Sequence, residues 1–376
     1  MRTIYYLAYY DTDDKENRVH ALSATNKIDY ISSTVSKLGN KVKIISASYT
    51  RNKDKGYDGK VKFPGENISV KLFRTLKWGN KLQRKLSIIY NKFQILFELM
   101  KINKNDKIIV YHSLGYMNLV NIVHKLKKFN LIMEVEEIYS DVTGNKKLKE
   151  KEIKFLKKAN SYIFATESIS KIINTDKKAE VIIYGTYKIE DKIDKSIYKD
   201  KLIHVVYAGT FDQHKGGVNA AIECSKYLNK KYHLHIIGFG TESEVEKIKS
   251  KVYLTSLNSK CKLTFDGCLR GEKYKEFLQS CNIGLSTQNP NAEYNETSFP
   301  SKILSYMSND LQVVSARVSV VENSSLNQYL YFYNNNNPQE IANTIMKVDV
   351  NNYSMYSILS RLDNDFKKDL KILLQN

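Results

Sequence analysis

Two doubly wound α/β domains, each a parallel sheet covered by helices, are what this chain predicts. Three observations carry that reading. Short apolar runs alternate with amphipathic helical stretches along the whole sequence. The alternation breaks once, at the polar stretch KIEDKIDKSIYKDK (188–201), and then starts again. The length, 376 residues, exceeds what one ordinary core serves, while 42% hydrophobic and 26% charged residues make a globular balance.

In the first half, TIYYLAYY reads as a strand and NKIDYISSTVSKLG as a helix stopped by Gly39. KVKIISAS is a strand, SIIYNKFQILFELM an amphipathic helix and KIIVYHS a strand. NLVNIVHKLKKF is helical, NLIMEVEE a strand and KEKEIKFLKKA a helix, and SYIFAT and AEVIIYG are strands. After the break, LIHVVYAG, HLHIIGFG, CKLTFDG, NIGLST, LQVVSA and QYLYFY are strands with helices between them. Pro338 opens a helix, and a last helical stretch runs from about Tyr353 to Leu374. The expected division is an N-terminal Rossmann-like domain over 1–190, a second over 200–350, and a C-terminal helix over 351–376 returning toward the first. The two domains are expected to face a central cleft.

A net charge of +19 calls for an anionic partner: a phosphorylated ligand, a nucleic acid or an anionic membrane face. No reader motif for nucleic acid is present, so none is expected as a partner. Cys224, Cys261, Cys268 and Cys281 show no CxxC spacing, and the seven histidines are not spaced as zinc ligands with them. No metal is expected, and the thiols read as reduced, in a cytoplasmic protein. The acidic DTDD at 11–14 follows the first strand and reads as a solvated loop at the cleft.

In open α/β sheets, ligands lie beyond the carboxyl ends of strands. Glycines fall there three times: Gly209 in YAGTFDQHKGG, Gly238 and Gly240 in IIGFG, and Gly267 in TFDG. Glycine lets a backbone approach a bulky anion. Lys215, before the next helix, adds a charge. Further on, Phe299 and Pro300 break the chain, and Ser301 and Lys302 open a helix whose free amides also suit an anion.

These stretches, with FDGCLRGEKYKEFLQSCNIGLS and SFPSKILSYMSNDLQVVSA, resemble the nucleotide-sugar domain of GT-B glycosyltransferases of retaining family 4 over residues 203–316. The resemblance implies a hexosyltransferase-type enzyme of polysaccharide biosynthesis, for example of capsule or exopolysaccharide. It implies a UDP- or GDP-linked donor, retention of configuration, and no metal or cofactor. It assigns the donor diphosphate to Lys215 and Lys302, with Gly209, Thr210, Gly238, Gly240, Arg270, Phe299, Pro300, Ser301 and Ser305 around the donor. Thr210 stands where the family carries an Arg, and Thr297 and Ser305 where it often carries two Glu. Lys302 or Arg270 would replace the missing Arg. The departures also suit a non-catalytic GT-B partner or glycan-binding relative.

The acceptor side falls to the first domain. Glu136 and Glu137 end the strand LIMEVEE and read equally as groups that orient or deprotonate an acceptor hydroxyl and as ion-pair partners of nearby lysines. His112 ends the strand before it and reads as an acceptor-side residue or a packed histidine. Residues 71–104 hold nine Lys or Arg and one Glu. Arg74, Lys77, Lys81 and Arg84 recur at helical spacing, with Trp78 among them and Leu82, Leu86, Ile89, Phe93, Leu96 and Met100 opposite. That pattern reads as a patch for an anionic membrane presenting a lipid-linked acceptor, or as an ordinary helix packed on its apolar side. Oligomeric state stays open.

Overall fold

The computed structural model describes residues 1–13, 15–140, 145–193, 197–211, 217–288 and 296–375. Contacts divide the chain into two units, Met1–Thr186 with Asp365–Asn376, and Tyr187–Asn364. The last helix, Met355–Gln375, therefore begins in the second and ends in the first.

Among the described residues, the first unit has an eight-stranded sheet. Its strands are β1 Thr3–Ala8, β2 Lys41–Ser46, β3 Lys60–Gly65, β4 Ile68–Leu72, β5 Lys107–Tyr111, β6 Asn130–Val135, β7 Ser161–Phe164 and β8 Glu180–Ile182. They lie in the order β3-β4-β2-β1-β5-β6-β7-β8, parallel except for β3. The inner strands are continuous apolar runs because helices cover both faces; Ile108, Ile109, Val110, Leu131, Ile132 and Met133 are wholly buried. The β3–β4 hairpin has no counterpart in the sequence reading. Strand β3, KVKFPG, is almost entirely exposed and holds a proline, which only an edge strand tolerates, so it lacks the apolar period that marks a strand.

The second unit has six strands among the described residues, all parallel. They are β9 Ile203–Thr210, β10 Tyr232–Phe239, β11 Lys262–Gly267, β12 Ile283–Ser286, β13 Gln312–Ala316 and β14 Tyr331–Tyr333. Their order, β11-β10-β9-β12-β13-β14, is that of a doubly wound sheet. The winding reverses between β9 and β12, and a crevice opens at that point beyond the strand ends.

The helix Lys81–Met100 departs from the sequence reading in two ways. It starts at Lys81, capped by the Asn80 side chain, so Arg74 and Lys77 lie before it and share no helical face with Lys81 and Arg84. Arg84 instead lies over the Trp78 ring, 5.1 Å from its centroid, and the Trp78 indole donates to the Thr50 carbonyl. The helix also packs through its more polar side. Ser87, Asn91, Ile95, Glu98 and Leu99 are buried. Asn91 donates to the Ala47 carbonyl at 2.7 Å, and Glu98 binds Lys71 and Lys101. The large apolar residues facing solvent are Leu82, Leu86, Ile89, Phe93, Phe97 and Met100, each 40–67% exposed. Leu96, placed in the stripe by sequence, is partly buried, and Phe97 takes its place.

Candidate functional site

In the second unit the crevice at the β9/β12 reversal holds a cavity of about 330 Å³, within the size range of small-ligand pockets. Its floor is the end of β9. Tyr207 points to the same face as Gly209, and its hydroxyl donates to the Thr210 carbonyl at 3.1 Å. Lys302, in the first turn of the helix Ser301–Met307, lays its Nζ over the Tyr207 ring 3.9 Å from the centroid. Gly209 makes room for that ammonium, since a Cβ there would stand 2.5 Å from Lys302 Cε and 2.7 Å from Nζ. Across the reversal, Thr287 donates to the Gly217 carbonyl at 2.7 Å and holds the start of the helix Gly217–Cys224 against the end of β12.

One buried tyrosine ties this crevice together. The Tyr306 hydroxyl accepts from the Ala208 amide at 2.9 Å and donates to the Leu285 carbonyl at 3.1 Å, linking the Lys302-bearing helix to β9 and β12. Its ring lies on Gly284, where a side chain would collide with it.

Of the donor residues named from sequence, Gly209, Thr210, Phe299, Pro300, Ser301 and Lys302 line the cavity. Gly238 does not line it but lets β10 close on β9, because a Cβ would run into the Gly209 carbonyl. Gly240 begins the turn where Glu244 caps the helix Glu242–Ser256. Arg270 is exposed at the start of the helix Gly271–Gln279, outside the cavity, because β11 is the far edge of the sheet. Ser305 also stays outside it and shares a 3.2 Å hydrogen bond with the Tyr274 hydroxyl. Lys215 lies outside the described residues. Tyr207, Gly217, Phe239, Thr287, Gln288 and Ser298 line the cavity as well and escaped the sequence reading. Tyr207 alone had a signal there, standing two residues before Gly209 on one strand face.

In the first unit the residues at the strand ends are more enclosed than expected. His112 is wholly buried and cannot touch an acceptor there. Burial pushes it down to about 4, so it stays neutral. Its Nε2 lies 3.3 Å from Glu152, whose carboxylate also takes the amides of Tyr139 and Ser140 at 2.9 Å each. His112 thus packs under the loop after β6. Glu136 forms the ion pair with a lysine: Lys27 Nζ lies 2.5 Å from its Oε1 and donates to the Ile183 carbonyl at 2.9 Å. Glu137 is partly exposed. Asp11, read as solvated, is buried, and Lys62 binds it at 2.8 Å and Asp13 at 3.0 Å.

Below Glu136, Glu134 is wholly buried and accepts from the Tyr6 hydroxyl. Burial first, then the Glu136 charge, push it up to about 8, against the pull of Lys27. A carboxyl whose folded pKa is raised stabilises the fold fully below its unfolded value of 4.5 and loses that contribution as pH rises toward 8. Glu134→Gln removes the titration. Its thermal midpoint is expected to gain on the parent's steadily between pH 5 and pH 8, by the equivalent of a few kcal/mol, about 1.4 per pKa unit. A constant difference across that range would show that Glu134 is ionised throughout.

Two doubly wound units, the second with a lysine-lined crevice at its reversal point, define the class: the fold is that of the GT-B glycosyltransferases. Solved structures to which the chain is similar cover nearly all of it. Sucrose-phosphate synthase from Thermosynechococcus elongatus aligns with a TM-score of 0.66 at 12% identity, covering 100% of this chain and 98% of that one. The E. coli trehalose-6-phosphate protein bound with UDP-2-fluoro glucose aligns at 0.65 and 10%, covering 98% and 99%. HepE from Anabaena in complex with UDP and glucose aligns at 0.63 and 14%, covering 99% of each. Residues 202–348 match the family described as Glycosyl transferases group 1. No curated protein matches the chain by sequence.

Proposed function

We propose that the chain is a glycosyltransferase that moves a sugar from a UDP- or GDP-linked donor to a glycan or lipid-linked glycan, with retention of configuration. The observation that carries this is the Lys302 ammonium seated on Tyr207 and Gly209 at the sheet's reversal point. As the glycosidic bond breaks, negative charge grows on the departing diphosphate. A fixed ammonium in a partly dry crevice stabilises that charge. Lys215, just before the Gly217 helix, supplies a second cation in this reading. Glu137 rather than the lysine-paired Glu136 is the carboxylate for the acceptor hydroxyl. The group 1 match over the second unit and the UDP bound to HepE support a nucleoside-diphosphate donor. The test is thermal stabilisation by UDP, GDP, ADP and CDP. At least one should raise the midpoint, and Lys215→Ala or Lys302→Ala should sharply reduce the rise at the same nucleotide concentration. No rise with any of them would remove the donor site.

A second reading is a GT-B partner that binds a glycan without turnover. It is favoured by Ser305, whose hydroxyl is engaged by Tyr274 where the resemblance places a Glu. Nucleotide binding without release of sugar across a donor panel, with or without acceptor, would select it.

The exposed stripe of the helix Lys81–Met100 supports docking on an anionic bilayer, hence a cytoplasmic enzyme peripheral to the inner face of the cell membrane and a lipid-linked acceptor. Among the described residues no helix is long and apolar enough to cross a membrane. On the helical period Lys81, Lys85 and Lys92 flank the stripe on one side, and each contributes about 1 kcal/mol near an anionic surface. Leu86→Ser with Phe93→Ser should release the protein from phosphatidylglycerol vesicles in sedimentation without moving its thermal midpoint. Lys81, Lys85 and Lys92 changed together to Gln should do so at low salt. Unaltered sedimentation of both variants would rule the patch out.

A further inference from the structure

At the opposite end of the second sheet from the cavity, three histidines meet. His204 on β9 pairs in register with His233 on β10, and His235 follows on the same face two residues later. All three are buried, at 3% exposure or less. One ring nitrogen of each lies within 4.8 Å of the others.

The hydrogen bonds decide which nitrogens carry protons. Asp200 lies 2.9 Å from His204 Nε2, and Asp266 lies 3.1 Å from His235 Nδ1. An ionised carboxylate only accepts, so both of those nitrogens are N–H. The Thr264 hydroxyl donates to Asp266 at 2.8 Å. Its proton is thereby committed, so at 3.0 Å it accepts from His233 Nε2–H. Every imidazole thus donates outward to an oxygen. The inner nitrogens, His204 Nδ1, His235 Nε2 and His233 Nδ1, are left with lone pairs. The first two face each other at 2.9 Å, and the third has no hydrogen-bond partner. Two buried lone pairs at that distance repel unless something positive stands between them.

We propose that His204, His233 and His235 form a binding site for a first-row divalent cation, Zn²⁺ by preference, that pins the segment before β9 to the sheet. Three neutral imidazoles, each oriented by an oxygen on its outer nitrogen, are the donor set and the outer arrangement that such ions take. Zn–N bonds of about 2.0–2.1 Å place tetrahedral ligand atoms roughly 3.3 Å apart, a distance these rings reach by small rotations. The charges close as well, since Asp200 and Asp266 together balance a dication. Tyr198 stacks on His204 with centroids 4.0 Å apart and covers the site. Gly209 is five residues along β9 from His204, roughly 17 Å away at the strand rise, so the ion holds structure and takes no part in sugar transfer.

The test uses the full chain, purified without a histidine tag and freed of metal. Zn²⁺ and Co²⁺ should each bind one per chain in competition with a chromophoric chelator, Co²⁺ with visible ligand-field absorption, and Zn²⁺ should raise the thermal midpoint. Mg²⁺ should do neither. His233→Gln should lose the site, and Asp266→Asn, which keeps all three ligands, should weaken it by about 10- to 100-fold. Far-ultraviolet circular dichroism reports whether each variant folds, and if His233→Gln does not, Asp266→Asn decides. Absence of Zn²⁺ and Co²⁺ binding, or binding that both variants retain undiminished, overturns the proposal.

Discussion

Lys302→Ala is expected to lower kcat for donor turnover by about 10²- to 10³-fold, the usual loss when one fixed positive group is removed from a developing oxyanion. Affinity for the nucleoside diphosphate should fall about 10- to 100-fold, since a charge-assisted hydrogen bond contributes about 1.5–3 kcal/mol. The ammonium rests on Tyr207 and over Gly209, so it can be moved without being removed. Gly209→Ala sets a methyl 2.5 Å from Lys302 Cε, and the flexible end of the side chain must swing away. Its thermal midpoint should stay near the parent's while turnover falls as in Lys302→Ala. Full turnover in both variants would detach Lys302 from the chemistry. A loss in Lys302→Ala alone would mean that the charge acts from another position.

Gly284→Ala should produce a large loss of stability. The added Cβ would come 2.7 Å from Tyr306 Cδ1 and closer still to other atoms of that ring. Tyr306 cannot retreat, because it is wholly buried and its hydroxyl is held by Ala208 and Leu285. Overpacking of this kind costs roughly 1–3 kcal/mol and sometimes more, and here the upper end is expected, with the lost hydrogen bonds adding to it. Urea unfolding should show a lower midpoint with an unchanged slope. Donor binding should weaken too, because the displaced ring carries the Lys302 helix with it. A midpoint equal to the parent's would show that the ring moves aside freely.

Much of the fold was legible because buried parallel strands announce themselves. VVYA, HIIG and IGLS are apolar runs ended by turn residues, and their order and spacing gave two doubly wound halves. The β3–β4 hairpin was not legible, since an exposed, lysine-rich edge strand has no apolar period to read. The crevice at the β9/β12 reversal was half legible. Gly209 and Lys302 stand out in the sequence, but Tyr207 and Tyr306 matter through contacts across the winding reversal, which no local pattern reveals. The three histidines show no ligand spacing with the cysteines along the chain. Only the pairing of β9 with β10 sets His204 beside His233. Charge placement was the least readable. Glu136 meets Lys27 from 109 positions earlier in the chain, and the helix 81–100 turned Asn91 and Glu98 inward and its phenylalanines out.

That outward-facing row of leucine, isoleucine and phenylalanine has a colloidal consequence. In dilute buffer the ammonium fringe keeps copies of the chain apart. Added salt shortens the range of that repulsion to a few ångströms by the molar range, while the sticky row keeps its attraction. Clustering should therefore grow with ionic strength and reverse on addition of a mild detergent, and light scattering along a sodium chloride gradient would record it.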